Sequence, residues 1–274
     1  NRNVIVKVPI TYAFAKENNI VASPFRVFTG GTAEDYSDDW DISICNLTMQ
    51  GGNVAGLGGT IFLQGNETNL TLLNATVSDS RSYVEIEEEV AIAHGGGVYV
   101  GALGDSTITI TNSNIINNTV SAFSIDDAAL AYGGGLSSYV TFGTSSISLI
   151  NSQICDNTIT AESETASATT YGAGISSFSL SNSDVYIKDT LISNNKATAI
   201  SPDTHTTYGG GVYANASYIT DTSDSLITLI NSTVYGNEAD YGAGIYGRVS
   251  NREGVVSNIM FILNSTITAN IATQ

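Results

Sequence analysis

Basic residues are scarce. Lysine and arginine supply nine of 274 residues against 26 aspartates and glutamates, a formal net charge of −17. A surface that negative repels nucleic acid and anionic lipid; it suits solubility, cations or an extracellular setting. No run of 18 apolar residues exists, so no membrane insertion of this segment is expected. Three prolines beside 27 glycines do not make a disordered linker. The cysteines number two, Cys45 and Cys155. The chain opens on Asn1 and not Met, which fits a processed or trimmed product, and with no signal peptide in view export is an inference.

What the sequence does have is a repeat. Turns read "NSNIINNTV" at 112–120, "NSQICDNTI" at 151–159, "DTLISNNKA" at 189–197, "NSTVYGNEA" at 231–239 and "NSTITANIA" at 264–272. Glycine-led blocks, "GGTIF", "GGGVY", "GGGLS", "GAGIS", "GGGVY" and "GAGIY", start at 58, 95, 133, 172, 209 and 242, so the unit is 33 to 39 residues long. Fixed-period similarity of this kind marks stacked repeats. Before each turn apolar residues alternate, as in Ile108 and Ile110, Ile147 and Leu149, Val185 and Ile187, Ile227 and Leu229, Met260 and Ile262. Period two means strand. Each unit offers three short strands, too few to bury anything alone, but stacked at about 4.8 Å per coil they form continuous parallel sheets around one narrow core.

These motifs resemble the repeats of polymorphic outer-membrane-protein-type β-helices, which carry Gly-Gly-Ala-(Ile/Leu/Val) and Phe-x-x-Asn. Here "GGGV" or "GAGI" matches the first, and "IINN", "ICDN", "ISNN", "VYGN" and "ITAN" match the second with Ile or Val in place of Phe. The resemblance covers roughly 57–274 and implies a cell-surface or secreted protein, often adhesive, with no catalytic residues to carry over. The fold expected is all-β: a right-handed parallel β-helix (solenoid) of about six to seven coils over 40–274. Residues 1–39 form an N-terminal β extension or cap, with strand donation as one role. Asn118, Asn157, Asn195, Asn237 and Asn270 fall at one corner, where Asn tolerates left-handed backbone geometry and its amide can donate and accept along the stack. Tyr132, Tyr171, Tyr208 and Tyr241, each just before a glycine block, are expected to stack on the outside, with His94 in the equivalent place.

No chemistry-bearing constellation outweighs its structural reading. The triple glycines lack the following Lys-Ser/Thr and helix of a phosphate loop. Lyases acting on uronic acids need cationic clamps, yet there is no arginine between Arg81 and Arg248, where Lys188 and Lys196 are the sole lysines. Asp126, Asp127, Glu162, Glu164, Asp221 and Asp224 lie in loops that successive coils could bring together, but no partner motif sits beside them, so they read as solvated. His94 and His205 have no metal-ligand partner at useful spacing. The acidic run holding Glu34, Asp35, Asp38, Asp39 and Asp41 offers oxygen ligands for Ca²⁺, near Asp35, Asp38 and Asp39, without the spacing of an EF-hand loop. No other cofactor is implied. Of eight Asn-x-Ser/Thr sequons, alternation turns Asn74, Asn231 and Asn264 inward, and leaves Asn66, Asn69, Asn117 and Asn215 as glycosylation candidates. Both cysteines follow inward residues and are expected to point outward, about three coils and roughly 14 Å apart, too far for a disulfide.

Along the outer face of the strand before the turn, the residues grow apolar toward the C-terminus, ending in Ile259, Phe261 and Leu263. "NSTITANIATQ" stops where the next glycine block is due. At the other end Val4, Val6, Val8 and Ile10 form an alternating strand with no obvious place in the coil register. These seven residues are candidates for a head-to-tail interface in which one chain's extension covers another's last coil. The leading expectation is an extracellular or cell-surface structural protein, not an enzyme, assembling end to end. The alternatives are an adhesin binding surface glycan or protein through its loops and tyrosine stack, and a polysaccharide-active enzyme.

Overall fold

The computed structural model describes residues 4–7, 28–30, 38–217, 222–250 and 255–273. Among them are 33 strands and no helix. One coil is representative: Ser106–Thr111, Asn114–Ile116, Thr119–Ser124, Ala129–Tyr132 and Leu136–Val140 form its five sides in chain order. Each side pairs in parallel with the same side of the next coil. The chain is therefore a parallel β-solenoid with five sheets, of seven, eight, seven, four and seven strands.

The alternating residues explain the sides. Ile108 and Ile110 point inward and are fully buried, and the register stacks them on Leu70 and Leu72 of the coil before and on Ile147 and Leu149 of the coil after. Branched aliphatics from the first, second and fifth sides fill one lobe of the core. The third and fourth sides enclose a separate lobe lined mainly by alanine, including Ala91, Ala122, Ala131, Ala161 and Ala168. Alanine in facing positions lets those two sheets approach closely.

Two corners are built the same way, from a left-handed residue followed by a polar residue that bonds along the axis. At the second corner Asn117, Asp156, Asn194 and Ala269 have φ between 52° and 58°. The next residues, Asn118, Asn157, Asn195, Asn237 and Asn270, form a ladder, buried except at its half-buried last member, Asn270. The backbone N–H of each donates to Oδ1 of the next at 3.0–3.1 Å, and so does Nδ2 at 2.9–3.1 Å. Nδ2 also donates to an inward carbonyl of the coil before, as Asn157 does to Ile115 at 3.0 Å. So the left-handed conformation belongs to the residue before the ladder, not to the ladder asparagine: a side chain aimed along the axis needs ordinary backbone geometry. At the first corner Ser113, Ser152, Thr190, Ser232 and Ser265 form a hydroxyl ladder, each oxygen accepting the N–H of its counterpart one coil earlier. At the fifth side a glycine starts the turn. Gly133 has φ +60°, and a Cβ there would lie 2.2 Å from the Leu136 oxygen.

Several expectations need correction. The solenoid makes about five turns, not six to seven. At its two ends the fourth side shrinks to single bridges, Leu57 with His94 and Tyr208 with Tyr241, so glycine blocks over-count full turns. Val4–Lys7 does have a place in the register: it pairs with Leu47–Gln50 of the same chain as the outermost strand of the second sheet. Phe28–Gly30 does likewise on Ile61–Gly65. Val8 and Ile10 lie outside the described residues. Asn74, Asn231 and Asn264 are exposed and not inward, because they hold the left-handed position of the first corner, with φ 49–50°, which breaks the alternation.

Candidate functional site

The carboxylates singled out in the sequence do not converge. Asp126 and Asp127 lie in the turn between the third and fourth sides, Glu164 at the neighbouring turn, Glu162 on the third-side strand before it, and Asp224 on the first side. Asp221 and Asp35 lie outside the described residues. Among the described residues no three acidic, histidine or cysteine side chains gather as a metal site. Asp38 and Asp39 are exposed, and Asp39 Oδ1 accepts from Asn66 Nδ2 at 3.2 Å and Glu67 N–H at 3.1 Å.

The most organised surface feature is an aromatic seam where the fourth and fifth sides meet. His94, Tyr132, Tyr171, Tyr208 and Tyr241 stack in sequence at 4.4, 4.8, 5.6 and 5.4 Å between ring centroids, with interplanar angles of 7–23°. A second column on the fifth side packs against them: Phe62 with Tyr99, Tyr139 with Phe178, and Tyr213 with Tyr246. His94 meets Tyr99 and Tyr139 edge-on at 5.4 and 5.8 Å, and Tyr171 meets Tyr213 at 5.0 Å. The turn glycines bring these columns together by folding one side back over its neighbour. Burial lowers the His94 pKa from 6.5 to about 3 and raises those of Tyr132 and Tyr213.

The seam corrects one glycosylation candidate. Asn215 is 6% exposed, covered on the outer face of the fifth side between Phe178 and Arg248 in register. Asn66, Asn69 and Asn117 are exposed. Cys155 also departs from expectation. Its strand, Gln153–Cys155, has three residues and runs into left-handed Asp156, which tucks the thiol under the next coil, where Ser193 Oγ donates to Sγ at 3.2 Å. Cys45 is exposed, Cys155 is buried, and both are free. Burial pushes the Cys155 thiol pKa up.

The last rung is the main apolar exposure. Ile259, Met260, Phe261, Ile262, Leu263, Ile267 and Ile271 are all more than 40% exposed. Met260, Ile262 and Ile267 continue the inward columns of Ile227, Leu229 and Val234, so both faces of this rung are open.

Sequence reasoning missed the hydroxyl ladder and the second aromatic column. Both left a signal. The five turns from Asn112 onward have Ser or Thr directly after their Asn or Asp, and Tyr recurs four places after the first glycine at Tyr99, Tyr213 and Tyr246. No protein-family model, curated protein or solved structure matches the chain.

Proposed function

We propose that the protein is a non-catalytic structural rod, displayed outside the cell, whose units stack end to end. The observation that carries this is the last rung: Met260, Ile262 and Ile267, which continue the inward core columns, are left more than 40% exposed, on strands whose register is in phase with the rest of the helix. Isolated apolar residues are ordinary on a surface, but a contiguous open rung is a surface that proteins cover. At the far end of the rod Ile42, half-buried, and Ile44, buried, occupy the same inward columns as Met260 and Ile262 on Trp40–Cys45. A second copy laid on the last rung would repeat the strand spacing, although the asparagine ladder itself ends at Asn270, because the first coils hold Gly52 and Ser80 in its place. In this arrangement Val4–Lys7, the outermost described strand of its sheet, need not leave its own chain.

The ladders support a structural role: the amides and hydroxyls at the corners are bonded from coil to coil, leaving few groups for chemistry. The Gly-x-Gly and x-x-Asn motifs, resembling those of polymorphic outer-membrane-type repeats, support display at a surface. A glycan adhesin working through the tyrosine stack has less support, because the ring faces a sugar would use lie against one another. Sedimentation velocity across a concentration series tests the proposal. Mass should rise in multiples of the chain, and Ile262→Asp, which puts a charge into the inward column, should hold the protein at one copy. A native chain that stays monomeric at every concentration would refute end-to-end stacking.

A further inference from the structure

The outer face of the first sheet changes character over its last strands. Outward positions run Asp184, Leu226, Ile259 across three adjacent strands, with Tyr186, Thr228, Phe261 beside them. Asn182, Asp184 and Asp224 meet Leu226, Ile259 and Phe261 around a depression of about 320 Å³. Asp184 is half-buried, and its carboxyl is held above the usual carboxylate range by desolvation first and by Asp224 second. Neither aspartate has an ion pair among the described residues; the pairs there are Lys188 with Asp189 and Lys196 with Glu238. Phe261, at 59% exposed, stands beside them. A desolvated carboxylate with no counter-charge and an open phenyl ring are each unfavourable alone. One occupant relieves both: a cation carried next to an apolar group.

We infer that this depression docks an extended peptide segment in which a lysine or arginine and a large apolar residue lie two positions apart. Residues two apart on an extended chain are about 6.7 Å apart and share a face. Ile259 and Phe261 have that spacing along their own strand, and Asp184 lies two strands, roughly 10 Å, from Ile259. The basic side chain sits between Asp184 and Asp224, and its apolar neighbour covers Ile259 and Phe261. The net charge of −17 draws a basic segment toward the rod and repels an acidic one. This face looks sideways from the axis, so the inference does not rest on end-to-end stacking.

Fluorescence anisotropy with the labelled six-residue peptide Lys-Lys-Leu-Leu-Lys-Lys, in which every leucine lies two positions from a lysine, tests it, against oligolysine of equal length and a glutamate–leucine control of the same pattern. The lysine–leucine peptide should bind saturably. The double variant Asp184→Asn, Asp224→Asn should weaken it by about tenfold or more, and Phe261→Ser by about fivefold. Far-UV circular dichroism checks that each variant is folded; if Phe261→Ser is not, Ile259→Thr reads the same apolar wall. Oligolysine binding as tightly as the mixed peptide, or no loss on changing the apolar wall, would mean charge alone and would overturn the inference. So would calcium raising the thermal midpoint in an Asp184-dependent way with no peptide binding, which would give the aspartates to a metal.

Discussion

Acid should unfold this protein through His94. The ring is 7% exposed, stacked on Tyr132 and flanked edge-on by Tyr99 and Tyr139, with Nδ1 sharing a 3.2 Å hydrogen bond with Ser137 Oγ. The groups that face it are these aromatic rings and one hydroxyl, and desolvation is the cause that lowers its pKa to about 3 from 6.5. Folding therefore favours the neutral ring. The stability this carries is complete above pH 6.5 and is lost as pH falls from 6.5 toward 3. Each unit in that window costs about 1.4 kcal/mol, so at pH 4.5 the loss is about 2–3 kcal/mol. Tyr132, Tyr171, Tyr208 and Tyr241 occupy the equivalent place in other coils, so His94→Tyr keeps the stack and removes the titration; His94→Phe does so without the hydroxyl. Urea unfolding at pH 7.5 and 4.5 reads the effect. Carboxylates titrate in both proteins and cancel in the comparison, leaving the variant ahead by about 2–3 kcal/mol at pH 4.5 relative to its position at 7.5. Equal differences at the two pH values, or a His94 imidazole signal, assigned by its loss in His94→Tyr, titrating near pH 6 in the folded protein, would refute the reasoning.

Asn157→Leu removes the acceptor of the Asn118 N–H and Nδ2 and the donors to Ile115 and Asn195; with several buried groups orphaned, urea unfolding should show a loss of about 3–5 kcal/mol. Asp184→Asn should raise the thermal midpoint at pH 7, because the folded state disfavours the ionised form. That advantage should shrink as pH falls and the native carboxyl protonates. A thiol reagent should label Cys45 promptly and Cys155 only on unfolding, since burial both shields the second thiol and raises its pKa; equal rates under native conditions would contradict the placement under Ser193.

The fold was legible because each coil writes its own core in a local pattern. Ile108 and Ile110 alternate, the asparagine at 118 recurs at 157, 195, 237 and 270, and a glycine such as Gly133 marks where the chain must turn left-handed. These are short-range constraints, and the stack only repeats them. What escaped is set by contacts between one side and another. Alternation puts Asn215 on the outer face of its strand, correctly; but outer does not mean solvated on a face where Asn215 lies in register between Phe178 and Arg248 and is 6% exposed. Cys155 escaped for the converse reason. A three-residue strand ending in a left-handed residue is too short for alternation to fix direction, and the coil that covers the thiol lies 38 residues on, at Ser193. The same logic explains the candidate surface. Asp184 reads as one more solvated carboxylate until the register sets it beside Asp224 and against Leu226 and Ile259, residues from two later coils. In a solenoid the sequence spells each rung, and function falls to whatever neighbouring rungs place side by side. Here that is an acid with no ion pair among the described residues next to an exposed apolar wall, a pairing that no single repeat contains.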